Sequence, residues 1–591
     1  MAGRFITVRW AQPLSTLPAM RPAGSRMERP WFKHWPEGVP KAIEYPRIPL
    51  HQVLRDAAKA LPDHTATVFY GAKLTYRELD EKADRFAAGL RGIGVKKGDR
   101  VGIMLPNSPT YLIAFFGVLR AGASVVQTNI LYKARELEEL YNDAGATVVV
   151  TLDIFLPNLL KAKPKTPIKH VIVADVKDFL PGLLAALYPI KKKKDLKKEG
   201  HWPLVVPREP WVSQFMDLLA SPPQPGKEPP VDPANDVAVF QYTGGTTGTP
   251  KGAMLTHHNL VANVYQCAAW VPFSKPGQEV MMAALPMFHV FGLTVAMLIA
   301  VKLGATIVLH PNPREIEKIL KLITKHRPTL FPGVPTMYVG LLSHPRLAKA
   351  NLRGIRACLS GAAPLPMEVR RRFEQLTGGK LVEGFGLTEA SPVTHANPLT
   401  EGGLVKECIG IPLPDTDAKV VDAEAGVKEM PMGEPGELVI KGPQVMKGYW
   451  NKPDETARVL RDGWLYTGDI ARIDEDGYFY IVERKKDMII ASGYNVYPRE
   501  VEEVLFKHPA VQEAAVIGVP DPYRGETVKA FVILKAGAAA TAEELITYSK
   551  EHLAAFKVPK AIEFRAELPK SMVGKVLRRT LREEELKKRA T

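Results

Sequence analysis

The stretch QYTGGTTGTPKGAMLTH, Gln241 to His257, packs four glycines, five threonines and one lysine into seventeen positions. That composition makes a poor helix and a poor core. VAVFQY leading into it and GAML near its end both read as strands, so the glycine-threonine segment joins two strands. Glycines let a backbone approach a ligand closely, and successive exposed N–H groups form an anion-binding concavity. Threonine hydroxyls add donors and Lys251 adds charge, a set that suits a polyphosphate. It is not a Walker A loop. Pro250 precedes Lys251, Gly252 follows it, no Ser or Thr comes next for a metal, and no helix follows at once.

The rest of the chain frames that loop. At 591 residues it is too long for one hydrophobic core, so at least two domains are expected. Hydrophobic residues at 46% and charged residues at 24% are ordinary for a globular protein. Three widely spaced cysteines (Cys267, Cys358, Cys408) argue against a disulfide framework or a cysteine zinc site and fit a reducing, cytoplasmic compartment. The net charge of +16 favours anionic partners: nucleotides, a phosphorylated cofactor or an anionic membrane surface. No nucleic-acid module is visible, and nucleic acid is not an expected partner. Residues 1–26 carry Arg4, Arg9, Arg21 and Arg26, no acid and no apolar h-region, so they do not read as a secretory signal. They read either as a transit peptide or, preferably, as sequence upstream of a true start at Met27, and are left outside the fold.

From about Leu50, helical and strand patterns alternate. TYRELDEKADRFAAGLRGIGV and TYLIAFFGVLRAG read as helices, RVGIMLP and TVVVT as strands. This predicts α/β layers with largely parallel sheets. VFGLTVAMLIAV, Val290 to Val301, is shorter than the roughly 20 residues that span a bilayer and reads as a buried helix. Phe179 to Gly200 interrupts the alternation, with an apolar run leading into Lys191, Lys192, Lys193, Lys194, Lys197 and Lys198. One reading is a solvated loop; the other is a patch that dips into lipid with lysines on anionic headgroups. Near YIVERKKDMIIASGYNVYPREVEEVL the texture changes to a small α+β unit. Pro498 opens one helix there, and Thr541 with Glu544 caps another.

The glycine-threonine loop resembles the phosphate loop of the adenylate-forming superfamily: acyl-CoA synthetases, firefly-type luciferases and peptide-synthetase adenylation domains. LPMFHVFG, SGAAPL, VEGFGLTEAS, KGPQVMKGYW, the long run from GWLYTGD to YPREVE, and LPKSMVGKVLRR resemble that family in order. RKKDMI and SGYNVYP are most similar to bacterial long-chain fatty acyl-CoA synthetases. The resemblance implies a large N-terminal ATP- and acyl-binding domain (27–483) of layered α/β subdomains, a hinge (484–487) and a small mobile α+β domain (488–591).

It also implies roles. Thr243, Gly244, Gly245, Thr246, Thr247, Gly248, Thr249 and Lys251 would cradle the leaving phosphates of ATP. Glu389 would hold Mg2+, with Thr246, although an isolated glutamate reads as a surface acid. Ser360, Gly361 and Ala362 would form one wall of the adenine slot. Glu383, Gly384, Phe385, Gly386 and Thr388 would form the other. The family usually has tyrosine where this chain has Phe385; stacking survives that change and a hydroxyl role does not. Asp469 would take both ribose hydroxyls and Arg484 would assist. His289 would sit where the acyl carboxylate meets phosphate, though a helix-end histidine fits its sequence as well. Lys575 would enter from the small domain to span carboxylate and α-phosphate. Lys486 would be the pivot, and Gly493 would lie beside the pantetheine of CoA. Apolar residues after His289, with Phe331 to Tyr338, would line an acyl tunnel or simply fill the core.

The implied activity is long-chain fatty acid–CoA ligation through an acyl-adenylate. Alternatives are another acid, medium-chain or aryl, or a separate acyl carrier protein as acceptor. A homodimer and peripheral contact with the inner membrane face through Phe179–Lys198 complete the expectations.

Overall fold

The computed structural model describes residues 29–198, 203–224, 227–243, 250–485, 487–491, 494–521, 525–571 and 574–590. Val237–Thr243 and Lys251–Thr256 are antiparallel strands, with Thr243 opposite Lys251. From Val237–Thr243 an eight-stranded sheet runs through Ser124–Gln127, Arg100–Met104, Val148–Leu152 and His170–Ala174 to Val212–Gln214, parallel at every step. Gly448–Tyr449 closes the other edge, antiparallel to Lys251–Thr256. Ser124–Gln127 and Val148–Leu152 are buried at every position, as expected of parallel strands covered on both faces.

A second sheet holds Val280–Ala283, Thr306–Leu309, Thr65–Phe69 and Ala72–Thr75. Single bridges through Leu330 carry it on to Ala357–Ser360, which pairs with Lys380–Gly386. The Pro109–Arg120 helix is buried along its whole length, the behaviour of a helix that is apolar all round. It lies against both sheets. Asn107, just before it, donates to the carbonyls of Ala283 and Leu285 at 3.0 and 2.8 Å, and the Tyr111 hydroxyl donates to the Met287 carbonyl at 2.7 Å. The Tyr76–Gly92 helix packs beside it and starts in a capping box of Thr75 and Glu78. The apolar run after His289 forms a buried π-helical turn, Gly292–Leu298, continued by the Ile299–Lys302 α-helix.

A third, five-stranded sheet carries Trp464–Ile473 paired with Phe479–Arg484. Beyond it, Ile489–Ala491, Tyr494–Val496, Val511–Asp521, Gly525–Leu534 and Ala561–Phe564 form a separate sheet with its own apolar core. Pro498 occupies the first turn of the Pro498–Lys507 helix, and Thr541 and Glu544 form the capping box of Ala542–His552.

The solvated-loop reading of Phe179–Gly200 is corrected: Gly182–Lys198 is a helix with Pro189 inside it. Two contacts hold it on the large domain. Lys192 is paired with Asp153 and, at 2.8 Å, with Asp175, and Leu196 is buried. Among the described residues no helix is long and apolar enough to cross a membrane.

Candidate active site

The strand pair brings Thr243 and Lys251 to the two ends of the glycine-threonine loop. Gly244, Gly245, Thr246, Thr247, Gly248 and Thr249 lie outside the described residues. Gly252 is required for packing: a Cβ there would stand 2.8 Å from the Tyr242 ring. Lys251 is buried, and its Nζ donates to Glu455 Oε2 at 2.5 Å while standing 5.5 Å from the centre of the Tyr449 ring. That hydrogen bond pulls the Glu455 carboxyl below its usual range.

The Tyr449 hydroxyl donates to Glu389 Oε1 at 2.6 Å. Burial first, then the Glu389 carboxylate, push the Tyr449 phenol well above its usual value, so it remains a donor. Glu389 sits on the short Thr388–Ala390 turn after the Lys380–Gly386 strand, and its carbonyl accepts from the Met446 amide at 2.8 Å. Three segments distant in sequence thus meet as Lys251, Tyr449 and Glu389. Among the described residues there is no group of three or more His, Cys, Asp or Glu side chains that could hold a metal by itself. A lone carboxylate, Glu389, linked through Tyr449 to Lys251 at the end of the expected phosphate loop, suits magnesium, which takes one or two carboxylates and completes its shell with phosphate oxygens and water.

The two walls expected around adenine are neighbouring strand ends. Ser360 stands opposite Glu383 in the parallel pairing of Ala357–Ser360 with Lys380–Gly386. Ser360 is fully buried and its Oγ has no hydrogen-bond partner among the described residues. A Cβ on Gly361 would lie 3.0 Å from the Phe291 ring, and Ala362 adopts a left-handed φ of +69°. Glu383 accepts from the Leu365 amide at 3.0 Å; burial raises its carboxyl and the Arg499 charge opposes that rise. Phe385 makes an edge contact with His395 at 6.1 Å. Gly384 and Gly386 keep the strand close to its neighbours: a Cβ would meet the Leu359 side chain at 2.6 Å and the Pro392 carbonyl at 2.3 Å.

Asp469 and Arg484 face each other across the Trp464–Ile473 and Phe479–Arg484 strands, with Arg484 Nε 3.3 Å from Asp469 Oδ1. Asp469 is buried. Lys486 and Gly493 lie outside the described residues. The residues flanking Lys486 are tied to different bodies. Lys485 Nζ donates to Glu437 on the third sheet at 2.9 Å, whereas Asp487 accepts from Arg582 on the C-terminal helix at 3.1 Å.

Lys575 belongs to the small domain. A Cβ on Gly574, just before it, would stand 2.5 Å from Thr336 Oγ1 at the start of the Pro335–Leu342 helix. His289 lies close enough to feel the Lys575 charge. Burial among apolar neighbours first, and Lys575 second, lower the His289 pKa to about 4. His289 Nδ1 accepts from the Phe291 amide at 3.2 Å, so the neutral ring carries its proton on Nε2. A clamp of one ion pair and two hydrogen bonds docks the small domain. Glu483 accepts from the Arg499 amide at 2.7 Å and pairs with Arg578 at 3.1 Å, while Arg499 Nη1 donates to the Ile481 carbonyl at 2.7 Å.

Behind the Ser360 wall is an apolar cavity lined by Cys267, Trp270, Val295, Ile299, Phe331 and Leu359, among others. The stretch after His289 and the start of Phe331–Tyr338 therefore do line a cavity. Tyr338 does not: its hydroxyl donates to the Phe331 carbonyl at 2.8 Å and its ring packs on Phe373. Sequence reasoning missed Tyr449, Glu455, Cys267, Trp270 and the Glu483 clamp. Tyr449 lies inside KGPQVMKGYW, so attention to that segment's own side chains would have found it.

Residues 54–450 match the AMP-binding enzyme family, and residues 500–575 match the AMP-binding enzyme C-terminal domain. The chain is 50% identical to the long-chain-fatty-acid–CoA ligase of Bacillus subtilis (strain 168), over 94% of this chain and 98% of that protein. It is 43% identical to the long-chain-fatty-acid–CoA ligase of Yersinia pestis, over 95% and 99%. Among solved structures it is similar to the anthranilate CoA ligase AuaEII in complex with anthranoyl-AMP, with a TM-score of 0.80, 28% identity and coverage of 93% and 98%. It is also similar to ATP-bound MatB from Rhodopseudomonas palustris, with a TM-score of 0.77, 31% identity and coverage of 91% and 99%.

Proposed function

Since the chain belongs to the AMP-binding enzyme family, we propose that it is a long-chain fatty acid–CoA ligase. It joins a fatty acid to ATP as acyl-AMP, releasing pyrophosphate, and then passes the acyl group to the thiol of CoA, releasing AMP. Full-length likeness to long-chain ligases supports the substrate class. The observation that carries the chemistry is the close approach of Gly574, next to Lys575 on the small domain, to Thr336 on the large one, with the Lys575 charge felt at His289.

Catalysis in this reading is positioning and charge neutralisation, with no covalent enzyme intermediate. The fatty acid places its tail in the apolar cavity and its carboxylate near His289. His289 is neutral at pH 7 and offers an Nε2–H donor. The Lys575 ammonium spans the carboxylate and the α-phosphate, lowering the repulsion between two anions that must meet. Asp469 and Arg484 hold the ribose, Phe385 stacks on adenine, and the loop from Thr243 to Lys251 takes the β- and γ-phosphates. Bound magnesium, held by Glu389 with Thr246, would neutralise phosphate charge. Tyr449 fixes the Glu389 carboxylate for that task.

The second half-reaction needs Lys575 out of the way. Lys486 stands between Lys485, anchored on the third sheet, and Asp487, anchored on the small domain, which supports a pivot there. Rotation about it withdraws Lys575 and brings Gly493 to the CoA channel. A homodimer and peripheral contact with an anionic membrane belong to the same reading.

Pyrophosphate release with Mg-ATP and a ladder of fatty acids, with and without CoA, tests it. CoA-dependent turnover that peaks at long chains is expected. Turnover confined to aryl or short acids, or indifferent to CoA, would overturn the substrate or the acceptor.

A further inference from the structure

The Gly182–Lys198 helix has an inward face that is fully accounted for and an outward face that is not. Ala185, Tyr188, Lys192 and Leu196, spaced three and four apart, are the positions that turn from solvent. Lys192 is spent there, between Asp153 and Asp175, so it belongs to the scaffold and not to the surface. The opposite side carries Leu183, Leu187 and Ile190, which are 76%, 50% and 70% exposed. Lys194 continues that line, with Lys191, Lys197 and Lys198 around it, all exposed.

The segregation runs along the helix axis. The N-terminal half shows leucine and isoleucine to solvent; the C-terminal half shows lysine. Three large apolar side chains, each at least half exposed within about two turns of helix, lose favourable free energy in water. A soluble acidic protein would suit the lysines but would have to present an apolar pocket beside its acids. A bilayer rich in anionic lipid supplies both surfaces at once, with acyl chains below and phosphates at the rim. The net charge of +16 favours approach to that surface.

We propose that the Gly182–Lys198 helix docks the protein on an anionic bilayer. It enters obliquely, with Leu183, Leu187 and Ile190 in the acyl boundary and Lys191, Lys194, Lys197 and Lys198 on lipid phosphates. The Lys192 pairs keep the helix on the domain, so the whole large domain is held at the surface. The inference rests on the membrane contact proposed above and names the residues that make it; it does not need the reaction itself.

Vesicle co-sedimentation of the full chain tests it, with phosphatidylcholine vesicles and with vesicles in which about a third of the lipid is phosphatidylglycerol. The parent protein should bind the anionic vesicles and release as salt rises. Leu183→Ser, Leu187→Ser and Ile190→Ser together should weaken binding by roughly tenfold or more. Replacing Lys194, Lys197 and Lys198 by Ser should weaken it by roughly fivefold per lysine. All these positions are exposed, and unchanged turnover of each variant with a water-soluble acid checks that the fold is intact. A parent that stays in solution with both vesicles, or variants that bind as the parent does, would overturn the proposal.

Discussion

In the proposed reading Glu389 and Lys575 serve one site, and the structure supports them unequally. Glu389 is built in: its carboxylate takes the Tyr449 hydroxyl, its carbonyl takes the Met446 amide, and Tyr449 lies beside the Lys251–Glu455 pair. All these groups belong to the large domain. Lys575 belongs to another body. Its loop touches Thr336, and its domain is held at Glu483 by the ion pair with Arg578 and the hydrogen bond from the Arg499 amide. One half of the site is therefore preorganised, and the other is docked. A preorganised half suits groups that both half-reactions need, and a docked half suits a group that only one of them needs.

The largest effect should come from Lys575→Ala. Adenylation, read as pyrophosphate release, is expected to fall by roughly 10²–10³. Thioester formation from supplied acyl-AMP should stay near that of the parent. Equal loss in both halves would erase the distinction drawn here. Glu389→Ala should come next, with a fall in pyrophosphate release of roughly 10². Tyr449→Phe should lose only about three- to tenfold, the worth of one hydrogen bond. Glu483→Gln should act on docking alone. It should lower adenylation by roughly tenfold while leaving or raising the thioester half, because weaker docking frees the domain to turn.

The large domain also carries a pH signature. Burial lowers His257 and His395 to about 3, against 6.5 for an exposed histidine, while the unfolded chain would take up protons at both. The unfolded state therefore binds more protons between pH 6.5 and about 3. Stability is complete above pH 6.5 and falls as the pH drops through that window. Thermal unfolding followed at pH 7.5 and pH 5 should show the large domain melting earlier at pH 5, by on the order of 2 kcal/mol per histidine. A flat profile would contradict the buried, neutral assignment.

Much of this was legible in the chain, for reasons that differ by residue. The strand–loop–strand unit was readable because glycine, threonine and lysine between two apolar runs have few other uses, and Thr243 does face Lys251. Asp469 and Lys575 were readable only from the wording around them, since a lone Asp or Lys has no signature. Glu455 and the Glu483 clamp were not readable. Their partners lie 204 residues away at Lys251 and 95 away at Arg578, and no local pattern encodes such a pair. The lysine run was open to a solvated-loop reading because a run of like charges is usually solvated. The Lys192 pairs and the buried Leu196 override that local preference.

The most direct test of the docked half is a covalent lock. A Cβ on Gly574 would lie 3.6 Å from the Thr336 Cβ, within the span of a disulfide. A cysteine at Gly574 must accept its φ of +72°, at about 1–2 kcal/mol. Cys267, Cys358 and Cys408 are buried and stay out of the way. The measurement is both half-reactions of the Thr336→Cys, Gly574→Cys protein, oxidised and then reduced. A locked domain should still release pyrophosphate in a single turnover, fail to form thioester from acyl-AMP, and recover that step on reduction. Undiminished thioester formation by the fully cross-linked protein would contradict the account.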